Sequence, residues 1–271
     1  MAEFFLELFS EEIPPKLQIN ARKKLFLDLN NFFQDNNIKI KGSKFSISTP
    51  NRIIINFSNV SSDLVKKSQE IKGPSVNANS KALEGFLNSH NIKKSQVKIK
   101  STEIGEFYFY KKPEQKLKTQ DLLKKNLPSI LDKITWNKSM KWANNQMFWG
   151  RPLKSILAVF DEKKIEFNFH HLKSSNYTFV DKDFEENTKK FNNFKSYQAF
   201  FRSIKIILDQ DKRKDFILNE LKKVSKKNNL LIEIKENLLD EITNIVEKPK
   251  VLLCEFNEKF LTIPKEILVI T

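Results

Sequence analysis

The stretch MAEFFLELFSEEIPPKLQ (residues 1–18) sets four glutamates, Glu3, Glu7, Glu11 and Glu12, ahead of the first basic residue, Lys16. Phe4, Leu6 and Leu8 alternate with Phe5, Glu7 and Phe9. That period of two predicts a strand over Glu3 to Phe9 with at least one buried face. Pro14 and Pro15 cannot extend a sheet ladder, but proline fits the first turn of a helix. Leu17, Ala21, Leu25, Leu29, Phe32 and Phe33 then recur at helical spacing. Glu11 and Glu12 precede that helix start, where its dipole favours carboxylates. Capping acids or binding groups are both open readings for them.

Moving outward, SKFSISTPNRIIINFSNV (residues 43–60) alternates Phe45 and Ile47 with serines, turns at Thr49-Pro50-Asn51 and continues as a strand over Ile53 to Phe57. The first sixty residues therefore read strand, helix, strand, strand. Gly73-Pro74 breaks the chain, and a short helix carrying Ala82, Phe86 and Leu87 starts near Asn79 or Ser80. EFYFYKKP (106–113) is a strand ended by Pro113. Thr119 or Asp121 can cap a helix with Leu122, Leu123, Leu127, Ile130 and Leu131, in which Pro128 predicts a kink or two short helices. RPLKSILAVF (151–160) and KKIEFNFHHL (163–172) are two more strands joined at Asp161-Glu162, an echo of the first unit. Ser196 to Ile207, Lys212 to Lys227 and the run from Leu238 to Val246, stopped by Pro249, are helical. The expected class is α+β, with small mixed or antiparallel sheets from strand-helix-strand-strand units followed by a mostly helical portion. Three segments follow: 1–65, 66–190 with a basic helix, and 191–271.

The chain has 271 residues and carries 48 Lys+Arg against 33 Asp+Glu, a net charge of +15. Gly and Ala are scarce while Asn, Lys, Ile and Phe are heavily used, the usage of an A+T-rich genome, so part of the lysine excess is compositional. The charge is nonetheless uneven. Residues 111–141 hold nine Lys and three acids, 202–227 hold nine basic residues and four acids, and 228–271 hold eight acids and five lysines. The two basic stretches fit either a polyanion such as nucleic acid or solvated lysine-rich faces. The single cysteine, Cys254, lies in an apolar strand-like run and reads as a buried thiol; it excludes an intramolecular disulfide. No apolar run reaches a membrane span and no leader pattern opens the chain, which predicts a cytoplasmic protein without a membrane partner.

Five glycines leave little room for a phosphate loop, and neither a nucleophile elbow nor an H-E-x-x-H motif is present. His170 and His171 end a predicted strand, where neighbours point to opposite faces, so no metal site is expected. Asp240-Glu241 read as dipole partners in an early helical turn. Trp136, Trp142 and Trp149 can pack or stack on bases. No catalytic residue is assigned.

Five runs, in order along the chain, resemble one family. LELFSEEIPPK (6–16) is similar to the opening of the beta subunit of bacterial heterotetrameric glycyl-tRNA synthetase, a strand followed by Glu-Glu-hydrophobic-Pro-Pro. STPNRI (48–53) resembles its Thr-Pro-Arg-Arg turn, with Arg52 kept and Asn51 differing. KGPSVNA (72–78) with KALEGFLNSHNI (81–92) resembles its Lys-Gly-Pro segment and the helix that follows. KSMKWANNQMFWGRPLKSILAVF (138–160) is similar to its Met-Arg-Trp and Arg-Pro run. LLDEITNIVEKPKVLLCEFNEKFLTIPKEIL (238–268) resembles its Asp-Glu-x-Thr and Glu-x-Pro stretch. Two places depart. Lys154 stands where the family has a histidine after Arg-Pro, and YTFVDKDF (177–184) stands where it has a Gly-His-Arg-Phe run.

The resemblance implies an accessory, tRNA-binding part of a class II glycine–tRNA ligase. The alpha subunit would bind ATP (with Mg) and glycine, so this chain would hold no cofactor and form no glycyl-adenylate alone. Its implied partners are that alpha subunit and tRNA(Gly), in an alpha2beta2 assembly at full length. The residues expected to touch tRNA are Arg52, Lys138, Lys141, Arg151, Lys154 and Arg202. For Arg52 a phosphate contact and a structural ion pair both remain open, as do a tRNA contact and an anchor at a strand start for Arg151. The alternative function is a stand-alone RNA- or protein-binding module. FLTIPKEILVIT (260–271) is apolar to its end, so its last ten residues are expected to be poorly anchored, at a truncation point before further family domains.

Overall fold

The computed structural model describes residues 2–66, 68–180 and 187–268. The chain begins β1 (Ala2–Ser10), α1 (Pro15–Asp35), β2 (Lys44–Ser48), β3 (Arg52–Val60) and β4 (Asp63–Lys66). It continues through β5 (Gln69–Ser75), α2 (Ser80–His90), β6 (Val97–Thr102), β7 (Gly105–Lys112), β8 (Gln115–Lys118) and α3 (Thr119–Asp132). Next come β9 (Leu153–Phe160), β10 (Lys163–Lys164), β11 (Asn168–Phe169), β12 (Leu172–Lys173), β13 (Tyr177–Phe179) and β14 (Thr188–Lys190). The described chain closes with α4 (Phe194–Ser203), α5 (Gln210–Asn228), α6 (Glu236–Ile245) and α7 (Lys265–Leu268).

The opening strand is the centre of the molecule. β1 pairs antiparallel with β3 on one side and β9 on the other, in a sheet ordered β10-β9-β1-β3-β2. Its two faces are both buried. Phe4, Leu6 and Leu8 join the core formed with α1 and α3, while Phe5 packs with Phe194, Tyr197 and Phe201 of α4. The α1 stripe is buried as its spacing predicts, each Leu or Phe worth about 1.5–3 kcal/mol. The expected segments 1–65 and 66–190 both contribute strands to this one sheet.

Between β4 and β8 the chain makes an excursion. These two strands pair from Asp63↔Lys118 to Lys66↔Gln115 and form a neck. Beyond it, residues 69–112 build a separate antiparallel sheet, β5-β7-β6. Helix α2 runs beside it and starts at Ser80, within the expected start, capped by the Asn79 side chain.

Several local expectations are corrected. Helix α3 is one helix through Pro128 rather than two short ones, because burial of Leu123, Leu127, Ile130 and Leu131 outweighs the roughly 3 kcal/mol cost of an interior proline. Its N-cap is Lys118, and neither Thr119 nor Asp121 caps it. The predicted strand 163–172 is broken into β10 and β11. His170 adopts φ 51° and turns the chain into β12 rather than ending a strand. The hairpin at Asp161-Glu162 is present, both residues having the positive φ of a two-residue type I′ turn. Cys254 is exposed in irregular chain, since 251–257 has no sheet neighbour among the described residues. Asp240 pairs with Lys214 at 2.7 Å, an inter-helix contact between α5 and α6. The terminal run reaches residues 269–271, which lie outside the described residues, as do residues 181–184 of YTFVDKDF.

Candidate functional site

Glu7 is the one acid in the apolar core of β1, and it is 0% exposed. Arg52, 1% exposed, opens β3 directly after the Thr49-Pro50-Asn51 turn. Antiparallel register sets Phe9 opposite Arg52 and Glu7 opposite Ile54, so the two charged side chains share the face that α4 covers. Arg52 Nη1 donates to Glu7 Oε1 at 2.6 Å, and the Tyr197 hydroxyl donates to the same oxygen at 2.5 Å. Arg52 also donates to Thr178 Oγ1 at 3.1 Å and to the Phe179 carbonyl at 2.8 Å. Its Nε lies 3.3 Å from Glu247 Oε1, an ion pair short of hydrogen-bond geometry, and Thr49 donates its hydroxyl to the same carboxylate. The guanidinium is sandwiched by Phe9 and Phe201, at 4.6 and 4.5 Å from the ring centroids.

Electrostatics follow from this enclosure. Burial opposes the Arg52 charge, but Tyr197, Glu247 and Glu7 outweigh it and hold the guanidinium above its ordinary pKa. Burial, then Glu7, pushes the Tyr197 hydroxyl well above the usual phenol range. Arg52 is thus a structural ion pair, with no face presented to a phosphate. The partners Glu7, Tyr197 and Glu247 escape sequence reading. The available signal is the acid at an inward position of Phe-Leu-Glu-Leu-Phe.

The family-like runs converge around this network. Glu7 belongs to the first run, Thr49 and Arg52 to the second and Glu247 to the last. The loop after β1 is pinned by Ser10 N to Asn51 O (2.9 Å), Glu11 N to Pro152 O (2.9 Å) and Ile13 N to Pro50 O (2.7 Å). Buried Gln18 of α1 reaches the Ile13 and Asn244 carbonyls at 2.6 and 2.7 Å. Arg213, from the second basic stretch, is also taken inside. It donates to the carbonyls of Thr243, Ile207, Leu208 and Ser48, and burial lowers its pKa to about 10 against the pull of Glu247 and Asp209. Glu11 is corrected too. The N-cap of α1 is Pro14, without a side-chain cap, and the Glu11 carboxylate pairs with Lys154 of β9 at 2.6 Å.

The remaining expected residues are on the surface. Lys138 and the half-buried Arg151 line one cleft of about 840 Å³ with Pro14, Pro15 and Lys16 on one wall and Asp240 and Glu241 on another. Lys141, in the same connection, donates to Gln146 at 3.0 Å and lies 4.5 Å from the Phe148 ring centroid. Lys154 is partly covered. Arg202 is exposed on α4, which packs on the opposite sheet face from α1, so it does not join the others. The tryptophans pack: Trp149 is buried, its ring 5.1 Å from that of Trp136, and Trp136 and Trp142 lie against the same core. Among the described residues, no helix is long and apolar enough to cross a membrane.

Residues 4–271 match the family described as Glycyl-tRNA synthetase beta subunit. The chain is 32% identical over 269 residues to the glycine--tRNA ligase beta subunits of Rickettsia canadensis (strain McKiel) and Rickettsia prowazekii (strain Madrid E), covering 99% of this chain and 40% of each relative. The corresponding subunit of Rickettsia bellii (strain OSU 85-389) is also 32% identical, with 41% of its length covered. The chain therefore spans about two fifths of the length of the curated relatives it matches. With the motif runs gathered around Arg52 and the match extending from the first strand to the last residue, the chain belongs to the glycyl-tRNA synthetase beta subunit family.

Proposed function

We propose that this chain is the tRNA-binding N-terminal part of a glycine–tRNA ligase beta subunit, which supports ATP-dependent attachment of glycine to tRNA(Gly). The single observation that carries the reading is the family match over residues 4–271. Its partner is the alpha subunit, where ATP, Mg and glycine are handled, in an alpha2beta2 assembly in the cytoplasm. The charge supports the polyanion half of the reading. All nine lysines of residues 111–141 are exposed, and so are Lys212 and the four lysines at the end of α5. Such a surface binds phosphates by releasing counterions. Lys138 and Arg151, which line the cleft beside Pro14-Pro15, are the proposed tRNA contacts at that segment, with Lys141 and Lys154 as further contacts and Arg202 apart from them on the other sheet face.

Glycylation of tRNA(Gly) by the alpha subunit, with and without this chain, tests the proposal. The expected result is charging that rises when the chain is added, and no ATP–pyrophosphate exchange by the chain alone. Exchange by the chain alone contradicts it. RNA or protein binding without any gain in charging supports a stand-alone binding module instead.

A further inference from the structure

The small sheet at the end of the β4–β8 neck has two unlike faces. Tyr108 and Tyr110 of β7 point to the side where His90 of α2 packs near Tyr110 and Phe86 lies over Gly73. Phe107 and Phe109 point to the other side, and both are half-buried there. Register surrounds them with lysines. Lys98 and Lys100 of β6 lie opposite Phe109 and Phe107, Lys72 of β5 lies opposite Phe109, and Lys111 follows on β7. All four lysines are exposed. One acid, Glu70, shares the face and pairs with Lys100. A hollow of about 430 Å³ lies over Phe109, walled by Lys98, Lys100 and Lys111.

We propose that this face is a binding platform for unpaired RNA, a reading that rests on the tRNA-binding role given above. Three features of the face fit that occupant. Two aromatic rings two residues apart on one strand are about 7 Å apart, a step that neighbouring bases of an extended strand can follow. Each ring face already attracts a cation: Lys72 Nζ lies 3.5 Å from the Phe107 centroid, and Lys100 Nζ 5.5 Å from that of Phe109. A base that stacks on the ring displaces the ammonium outward, where it meets the backbone phosphate. Four lysines against one carboxylate also complement a polyanion, and the rings beside them suit one that carries flat bases. Base stacking on aromatics and a lysine-lined track are the two parts of single-strand recognition. A duplex hides its base faces and can use only the lysines.

The test is binding of an unpaired oligoribonucleotide of about ten nucleotides, a duplex RNA of the same length, and tRNA(Gly), to the whole chain at fixed salt. The variant F107L/F109L keeps apolar bulk but removes the rings, and its folding is checked by thermal melting. The expected result is preference for the unpaired probe and a loss of about ten- to a hundredfold in its binding by F107L/F109L, with the salt slope unchanged. K98A/K100A is expected instead to lessen the log–log salt slope by about 1.4. Equal binding of the probe by F107L/F109L and the parent, or equal binding of duplex and unpaired RNA, overturns the platform. If tRNA(Gly) is still bound in that case, the tRNA-binding role stands and the contact lies elsewhere. Failure of the parent chain to bind any of the three RNAs at low salt overturns both.

Discussion

Removing the Glu7 carboxylate leaves Arg52 charged and enclosed between Phe9 and Phe201. The longer Glu247 contact then remains, and a buried ion that loses its close partner costs up to about 3–5 kcal/mol. Glu7→Ala is expected to lower unfolding stability in urea by that amount, whereas Glu7→Leu combined with Arg52→Met is expected to cost less than the single change. A single variant as stable as the parent contradicts the network. Tyr197 gives a second handle. Its folded pKa is raised above the ordinary value near 10. Above that pH the unfolded state sheds a proton that the folded state keeps, so stability is fully present below about pH 10 and falls as pH rises. The chain has four tyrosines. At about pH 10.5, Tyr197→Phe is expected to leave tyrosinate absorbance of the folded protein unchanged and to cut that of the urea-unfolded protein by a quarter at full ionisation. A fall in the folded signal would show Tyr197 ionising in place. At this scale the sequence displays the Thr-Pro-Asn-Arg turn but not its purpose. An acid in a strand ordinarily points to water, and only the pairing of β1 with β3 under α4 turns Glu7 and Arg52 toward each other.

Among the elements, periodicity was a good guide where one helix face or one hairpin decided the outcome. The α1 stripe, the β2–β3 hairpin and the start of α2 follow from local pattern. The strand expected over 163–172 is interrupted over 165–167, and His170 then takes a left-handed turn, which no apolar count reveals. Pro128 does not split α3 in two, since tertiary burial overrides a local penalty. Two glycines give predictions of opposite sign. A Cβ at Gly42 would lie 2.6 Å from the Ser58 carbonyl oxygen and 2.8 Å from its carbon, backbone atoms that the β2–β3 hairpin fixes. Gly42→Ala is expected to destabilise by about 1–3 kcal/mol. A Cβ at Gly85, inside α2, meets nothing within 4 Å. Gly85→Ala is expected to stabilise by about 0.5–1 kcal/mol through a better helix former. Urea midpoints that move in the same direction for both contradict the packing described here.

For the molecule as a whole, the long-range order was the least legible part. Nothing in residues 153–160 says that they pair with residues 4–10, because a strand pattern carries no address for its partner. The excursion 69–112 was equally hidden, since β4 and β8 are short and polar. Charge was legible, and the fold sorts it. Arg52 and Arg213 are withdrawn into the core, while the lysines of 111–141 remain outside. That sorting leaves a basic surface, and the proposed tRNA contact would then be made by many weak phosphate contacts rather than by one deep site. Binding of tRNA(Gly) to the chain as a function of salt is the most direct measure of this. Tight binding is expected at low salt, with a log–log slope of about −3 to −6, set by about 0.7–0.9 per phosphate neutralised. Binding that does not change between low and physiological salt, or none at low salt, would contradict it.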